Sequence, residues 1–76
     1  MVIVHPIAVD VRVTEHALQL VLQDGREISA PLAWYPRLRD ATAIQRGDWR
    51  LIGKGEGVHW RGIDEDISVL GVLSGR

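Results

Sequence analysis

Three apolar runs with a period of two fill the N-terminal part of the sequence, between residues 7 and 30. Such an alternation, rich in β-branched residues, is typical of strands that bury one face. The apolar residues of this face are Val9, Val11, Val13, Leu18, Leu20, Leu22, Ile28 and Ala30. A turn around residues 15–16 would pair Val13 with Leu18, Val11 with Leu20, and Val9 with Leu22. The pattern predicts a three-stranded antiparallel meander whose apolar face must be covered by other elements.

The second turn of the meander decides its register. A two-residue loop would place Leu20 opposite Ser29 and mix the apolar and polar faces. A three-residue loop at 23–25, with Gly25 in a left-handed bulge conformation, places Leu20 opposite Ile28 and keeps the faces separate. We therefore predict the three-residue loop.

Short helices are predicted in the middle of the chain. Pro36 is suited to the first position of a helical turn, where its missing N–H costs nothing. Thr42 and Gln45 have the spacing of a capping box, in which each side chain bonds the backbone N–H of the other residue. The helix that follows should end at Gly47.

The C-terminal part predicts two more strands, at 49–52 and 58–60, and a last helical turn at 69–73 capped by Ser68. A chain of 76 residues forms one domain at most. The predicted fold class is α+β, with residues 1–76 forming a single domain. Its small antiparallel sheet, the N-terminal three-stranded meander, is expected to be covered by short helices.

Composition excludes several classes of protein. The chain has no cysteine, so it has neither disulfides nor thiolate metal sites. Its net charge is -1 and its arginines are dispersed, so we expect no direct binding to nucleic acid. No apolar run approaches the roughly 20 residues of a membrane-spanning helix, and no signal-peptide pattern is present. We expect a cytoplasmic protein that does not bind membranes.

The chemically richest stretch lies near the C-terminus. The consecutive acids Asp64, Glu65 and Asp66 have two interpretations, a solvated turn or a patch that binds arginine side chains of a partner. Trp60 has two interpretations as well, a core residue or an anchor at a protein interface.

His59 offers a third kind of chemistry. With Asp64 or Asp66 it would supply imidazole and carboxylate groups to a metal ion or to acid–base catalysis. The spacing matches no standard metal motif, and no serine stands in a recognisable nucleophile setting. We therefore predict no catalytic, cofactor or metal site. A small enzyme or a metal- or ligand-binding domain using His59 with Asp64 or Asp66 is kept as the alternative.

Several motifs together resemble the bacterial family of domain of unknown function 2442. The residues that carry the resemblance are Pro31–Leu38, Ala41–Thr42, Trp49–Gly53, Gly57–Trp60 and Asp64–Val69. Proteins of this family are small and are frequently encoded beside a short protein of the domain of unknown function 4160 type. The resemblance implies an antitoxin-like role in a two-protein system and brings no catalytic residues with it.

The resemblance also implies the kind of partner. We expect it to be the small, toxin-like protein encoded next to this one, while a homo-oligomer is compatible with the sequence. Some members of the family carry a helix-turn-helix domain after this one. The present sequence ends at Arg76 without it, and we expect no autoregulatory DNA binding. We predict a non-enzymatic protein-binding module whose partner-binding residues are His59, Trp60, Asp64, Glu65 and Asp66.

Overall fold

Within residues 6–75, which the computed structural model describes, the strands form two antiparallel sheets of three strands each. The first sheet contains β1 (Ala8–Val13), β2 (Ala17–Leu22) and β3 (Glu27–Pro31). The second contains β4 (Trp49–Ile52), β5 (Gly57–Trp60) and β6 (Glu65–Ser68). The described residues also form three short α-helices, namely α1 (Pro36–Arg39), α2 (Ala43–Gly47) and α3 (Val69–Leu73), and three single 3-10 turns, at Leu32–Trp34, Gly53–Gly55 and Arg61–Ile63. The predicted α+β class and the N-terminal meander are confirmed.

The turn between β2 and β3 has the predicted three-residue form. Leu20 stands opposite Ile28, and Gly25 has a φ of +93°. The Gly25 N–H donates to the carbonyl of Leu22 at 3.0 Å, and the Leu22 N–H donates to the carbonyl of Arg26 at 2.7 Å. A left-handed glycine is what this bulge requires, because residues with a β-carbon are strained there.

The start of β1 departs from the prediction. The pairs Val11–Leu20 and Val13–Leu18 form as expected. Val9 does not face Leu22, because a bulge between Ala8 and Asp10 shifts the register and places Ala8 opposite Leu22. Ala8 is buried, whereas Val9 is 50% exposed. Inserting one residue into a strand reverses the faces on the far side of the bulge, so the prediction of a buried Val9 was wrong.

One hydrophobic core joins the two sheets. Its buried residues are Ala8, Val11, Leu18, Leu20, Leu22, Ala30, Leu32, Leu38, Val58, Trp60, Ile67, Val69 and Val72. These residues come from both sheets and from α1, α3 and the turn at Leu32–Trp34. The apolar face of the meander is therefore covered by short helices, as predicted, and also by the second sheet, which shares the same core.

The helices begin as the sequence predicts. Pro36 is the first residue of α1. At α2, the Gln45 N–H donates to the Thr42 hydroxyl at 3.1 Å, and the Thr42 N–H donates to the Gln45 side chain at 2.9 Å. At α3, the Ser68 hydroxyl accepts from the Gly71 N–H at 2.8 Å. Within residues 6–75, no helix combines the length and the apolar character that a bilayer crossing needs.

Candidate functional site

The three consecutive acids span a turn and the start of the edge strand that follows it. Asp64 occupies the turn before β6 with a left-handed φ of 50°. Glu65 and Asp66 are the first two residues of β6, which pairs only with β5 among the described strands. Asp64 and Asp66 are exposed, and Glu65 is half-buried. We call these three residues the acidic strip.

The strands of the second sheet place His59 beside Asp66. Val58 and Trp60 on β5 are fully buried, so the alternation of a strand directs His59 to the outer face of the sheet. Asp66 stands directly opposite His59 on β6, and Arg50 stands opposite it on β4. The three side chains therefore form a row across the outer face.

Within this row, the imidazole Nδ1 of His59 lies 2.5 Å from Oδ1 of Asp66. The His59 side chain is 20% exposed and that of Asp66 is 67% exposed. The contact holds the ring in one orientation at the surface. A carboxylate that positions an imidazole also occurs in acid–base catalysis, so this pair is the chemical feature that fits the enzymatic alternative.

Trp60 does not lie on this surface. Its side chain is fully buried, and its indole Nε1–H donates to the carbonyl of Arg46 at 3.0 Å. The bond ties β5 to the C-terminal part of α2. The structure therefore assigns Trp60 to the core, and its predicted contact with a partner must be corrected, since a partner cannot reach the indole in this fold.

The carboxylates of the strip are not neutralised by the nearby arginines. Arg37 donates to the main-chain carbonyl of Asp64 at 2.9 Å, not to its carboxylate. Arg61 lies 3.4 Å from Asp48. Among residues 6–75, the carboxylates of Asp64 and Glu65 have no hydrogen bond or ion pair. Asp64 and Glu65 thus keep unpaired carboxylates, whereas the carboxylate of Asp66 contacts His59.

A cleft with a volume of about 530 Å³ runs beside the strip. It is lined by the aromatic ledge, which consists of Trp34, Tyr35 and Pro36, by residues 65–68 of β6, and by Ile52, Gly57 and Gly71. Its volume falls within the roughly 300–1,000 Å³ that is common for ligand sites. The cleft therefore joins an aromatic surface to the acidic strip.

The acidic strip and the contact between His59 and Asp66 are the main polar features of this arrangement. Within the described part of the chain, no three His, Asp or Glu side chains are grouped so that they could hold a metal ion. Ser68 lies in the same strand as Asp66, and its hydroxyl caps α3 by accepting a hydrogen bond from the Gly71 N–H. His59 meets Asp66 directly, whereas the other proposed partner, Asp64, lies in the turn before β6.

Sequence analysis missed some members of this region. Arg50 belongs to the outer row because it lies one residue after Trp49 on the opposite face of β4, a placement that the predicted strand implied. The aromatic ledge could not be placed in this way, because its residues lie far from β6 in the sequence and meet it only in the folded chain.

Comparisons with other proteins support this fold. A family model described as "Protein of unknown function (DUF2442)" matches residues 8–76. A crystal structure of a protein of unknown function from Rhodospirillum rubrum is 26% identical to this chain, with a TM-score of 0.79. The match covers 92% of this chain and 87% of that chain. No curated protein matches this chain.

Proposed function

The chain belongs to the DUF2442 family of proteins of unknown function, and on that premise we propose that it is a non-enzymatic protein-binding module. Its partner is a basic protein that docks on the acidic strip. The resemblance of its motifs to antitoxin-like proteins favours the small protein encoded beside it as that partner. The module then acts as the antitoxin-like half of a bacterial two-protein system.

The exposed negative charge of the acidic strip carries this proposal. Asp64 and Asp66 are exposed, and Arg37 bonds only the backbone of Asp64. A basic partner finds these carboxylates available, because they do not have to give up an internal ion pair with an arginine first. When a carboxylate of the strip and a basic side chain of the partner form a desolvated, hydrogen-bonded pair in the complex, removing one member costs about 2–5 kcal/mol of binding free energy.

A co-expression experiment with the neighbouring protein tests the proposal. The double variant Asp64→Asn/Asp66→Asn removes two charges and keeps side chains that can accept the same hydrogen bonds, including the one from His59. Its melting temperature should equal that of the wild type, because both carboxylates are exposed. Its affinity for the neighbour should fall by at least about 30-fold, which corresponds to the lower end of that cost.

A matched control makes the same change of charge elsewhere. Glu15→Gln/Glu27→Gln removes two exposed acids from the first sheet and its turn and should bind the neighbour as the wild type does. Equal capture by both double variants would exclude the acidic strip from the interface. Absence of any complex with the neighbour would reject the two-protein system.

The alternative function rests on one contact, between His59 and Asp66. A small enzyme or ligand-binding domain that uses this pair would lose its activity or its ligand on His59→Gln. The partner-binding proposal predicts only a small change in capture of the neighbour, because the acidic strip keeps its three carboxylates in that variant.

A further inference from the structure

The backbone of β6 has hydrogen-bonding groups that point away from its sheet. In antiparallel strands, directly opposed residues alternate between hydrogen-bonded and non-hydrogen-bonded pairs. The Val69 N–H donates to the carbonyl of Glu56 at 2.9 Å, which marks that pair as hydrogen-bonded. Because the two types alternate along the register from the Glu56–Val69 pair, Gly57–Ser68 and His59–Asp66 are non-hydrogen-bonded pairs. The N–H and C=O of Asp66 and the N–H of Ser68 therefore point to the free edge.

Both ends of this free edge are closed by the structure itself. The carbonyl of Asp64 points the same way and is occupied by the guanidinium of Arg37. After Ser68 the chain turns into α3, so its carbonyl belongs to a helix. Among the described residues, no other backbone or side chain bonds the outward groups of Asp66. The edge is short, and it is open at Asp66 and Ser68.

The cleft beside the strip lies along this edge. Residues 65–68 of β6 line it, together with Ile52 and Gly57 of the same sheet and the aromatic ledge. An extended chain segment in the cleft would bond the backbone of Asp66 on one side and contact Trp34 and Tyr35 on the other. Strand addition of this kind takes affinity from main-chain hydrogen bonds and specificity from alternate side chains.

Resting on the proposed function, we propose that the partner docks by adding an extended segment to the edge of β6, with an arginine or lysine opposite Asp66. Residues directly opposite each other share a face, so this basic side chain lies on the outer face beside Asp66 and His59. Its two neighbours point to the opposite side of the sheet, which is the side that the buried Ile67 faces, and are apolar. The recognised pattern is therefore apolar, basic, apolar.

Charge disfavours a second copy of the chain as the occupant. Two copies of β6 would pair about a two-fold axis at Asp66 or at Ile67. In the first register the two Asp66 carboxylates are directly opposed, and in the second they are diagonal neighbours. Like charges in such positions are destabilising, whereas opposite charges contribute roughly 0.2–1 kcal/mol. A basic segment from another protein fits the same edge without this repulsion.

Three synthetic peptides test the binding mode with the intact chain. The probe is acetyl-Thr-Val-Arg-Val-Thr-amide, and the second peptide has glutamate in place of arginine. The third carries an N-methyl group on the arginine backbone, which removes the donor to the Asp66 carbonyl and retains the charge. Titration into isotope-labelled protein should move the amide resonances of Asp66 and Ser68. We expect the N-methyl peptide to bind at least about ten-fold more weakly and the glutamate peptide at least about three-fold more weakly.

Two variants of Ser68 test the edge from the protein side. Ser68→Ala and Ser68→Pro both lose the hydroxyl that caps α3, but only proline also removes the outward N–H. The φ of Ser68 is -87°, close to the value that proline imposes. Ser68→Ala should bind the arginine peptide as the wild type does, and Ser68→Pro should bind it at least about five-fold more weakly, since it loses a backbone donor and gains a bulky ring at the edge.

These experiments test strand addition at β6 separately from the proposed binding of the neighbouring protein. Strand addition would be overturned if the N-methyl and unmodified peptides bound with equal affinity, or if the two Ser68 variants bound the arginine peptide equally well. It would also be overturned if no amide resonance of β6 moved on titration, or if the chain associated with itself through β6. Capture of the neighbour that depends on Asp64 and Asp66 would still support the proposed function in those cases. Peptide binding at β6 without capture of the neighbour would support strand addition and reject the two-protein system.

Discussion

Gly55 lies against Ala8 so closely that a β-carbon at Gly55 would stand 2.7 Å from the Ala8 carbonyl oxygen. It would also stand 2.5 Å from a methyl group of Ile7. Gly55 is buried and belongs to the connection between β4 and β5, whereas Ala8 is at the bulged start of β1. This contact therefore joins the two sheets at a point where no side chain fits.

Gly55→Ala should consequently destabilise the protein by about 3 kcal/mol or more, because a left-handed φ and a steric overlap each cost roughly 1–3 kcal/mol. Gly53 is the matched control, since its φ is also positive, at +58°, but a β-carbon there would have its nearest neighbouring atom 3.6 Å away. Gly53→Ala should cost only about 1–2 kcal/mol, from backbone strain alone. Urea denaturation measures both, and equal losses would contradict the steric argument.

Gly25→Ala tests the bulge between β2 and β3. A β-carbon there meets nothing within 4 Å, and the φ is +93°. We expect a loss of about 1–2 kcal/mol in unfolding free energy from strain only. Gly47→Ala is equally unobstructed and lies in α2 without a positive φ. It should be neutral or stabilising by up to about 1 kcal/mol, and a loss equal to that of Gly25→Ala would show that the bulge is not the cause.

Acidification should weaken the turn that contains Asp24. The pKa of Asp24 lies below its ordinary value, chiefly because the backbone N–H of Arg26 donates to its carboxylate, with a further hydrogen bond from the Arg26 side chain. A depressed folded-state pKa gives stability that is present above the unfolded pKa of about 3.9. That stability is lost as the pH falls through the folded-state pKa. Unfolding measured from pH 5 downwards should therefore show a smaller acid-dependent loss for Asp24→Asn than for the wild type.

Divalent metal ions should leave stability unchanged. A ligand that binds the folded state raises stability by RT ln(1 + [L]/Kd), and we expect no tight site around the His59–Asp66 pair. Zinc, manganese or magnesium should then shift the melting temperature by no more than about a degree. A saturable increase that chelator reverses and that His59→Ala abolishes would establish the metal-binding alternative.

The bulge in β1 shows where a local alternation of apolar residues fails to predict which side chains are buried. The alternation of Val9, Val11 and Val13 predicts one buried face, and Val11 follows that prediction. At Val9 the prediction fails, because the bulge between Ala8 and Asp10 places Ala8 in the core instead. Ala8 there packs closely against Gly55, which is 47 positions away in the chain, and a local pattern does not reveal such a contact.

The strand β6 was missed for a different reason. Three consecutive acids are typical of a solvated turn, yet only Asp64 lies in one. The alternation that follows was present in the sequence, since Ile67 and Val69 are buried while Asp66 and Ser68 are exposed. An edge strand tolerates acids on its outer face, so charge alone did not exclude it. The exposure of Asp64 and Asp66 could thus be predicted from the sequence, while their place at a sheet edge depends on the pairing of β6 with β5.

The consecutive order of strands in each sheet bears on how fast the protein folds. Both meanders pair neighbours along the chain, in the order β1, β2, β3 and in the order β4, β5, β6. Every one of these pairings closes only a short loop, and folding rates rise as the sequence separation of contacts falls. Each sheet can therefore form early from local pairings, and the docking of Gly55 onto Ala8 is the step that needs distant parts of the chain to meet.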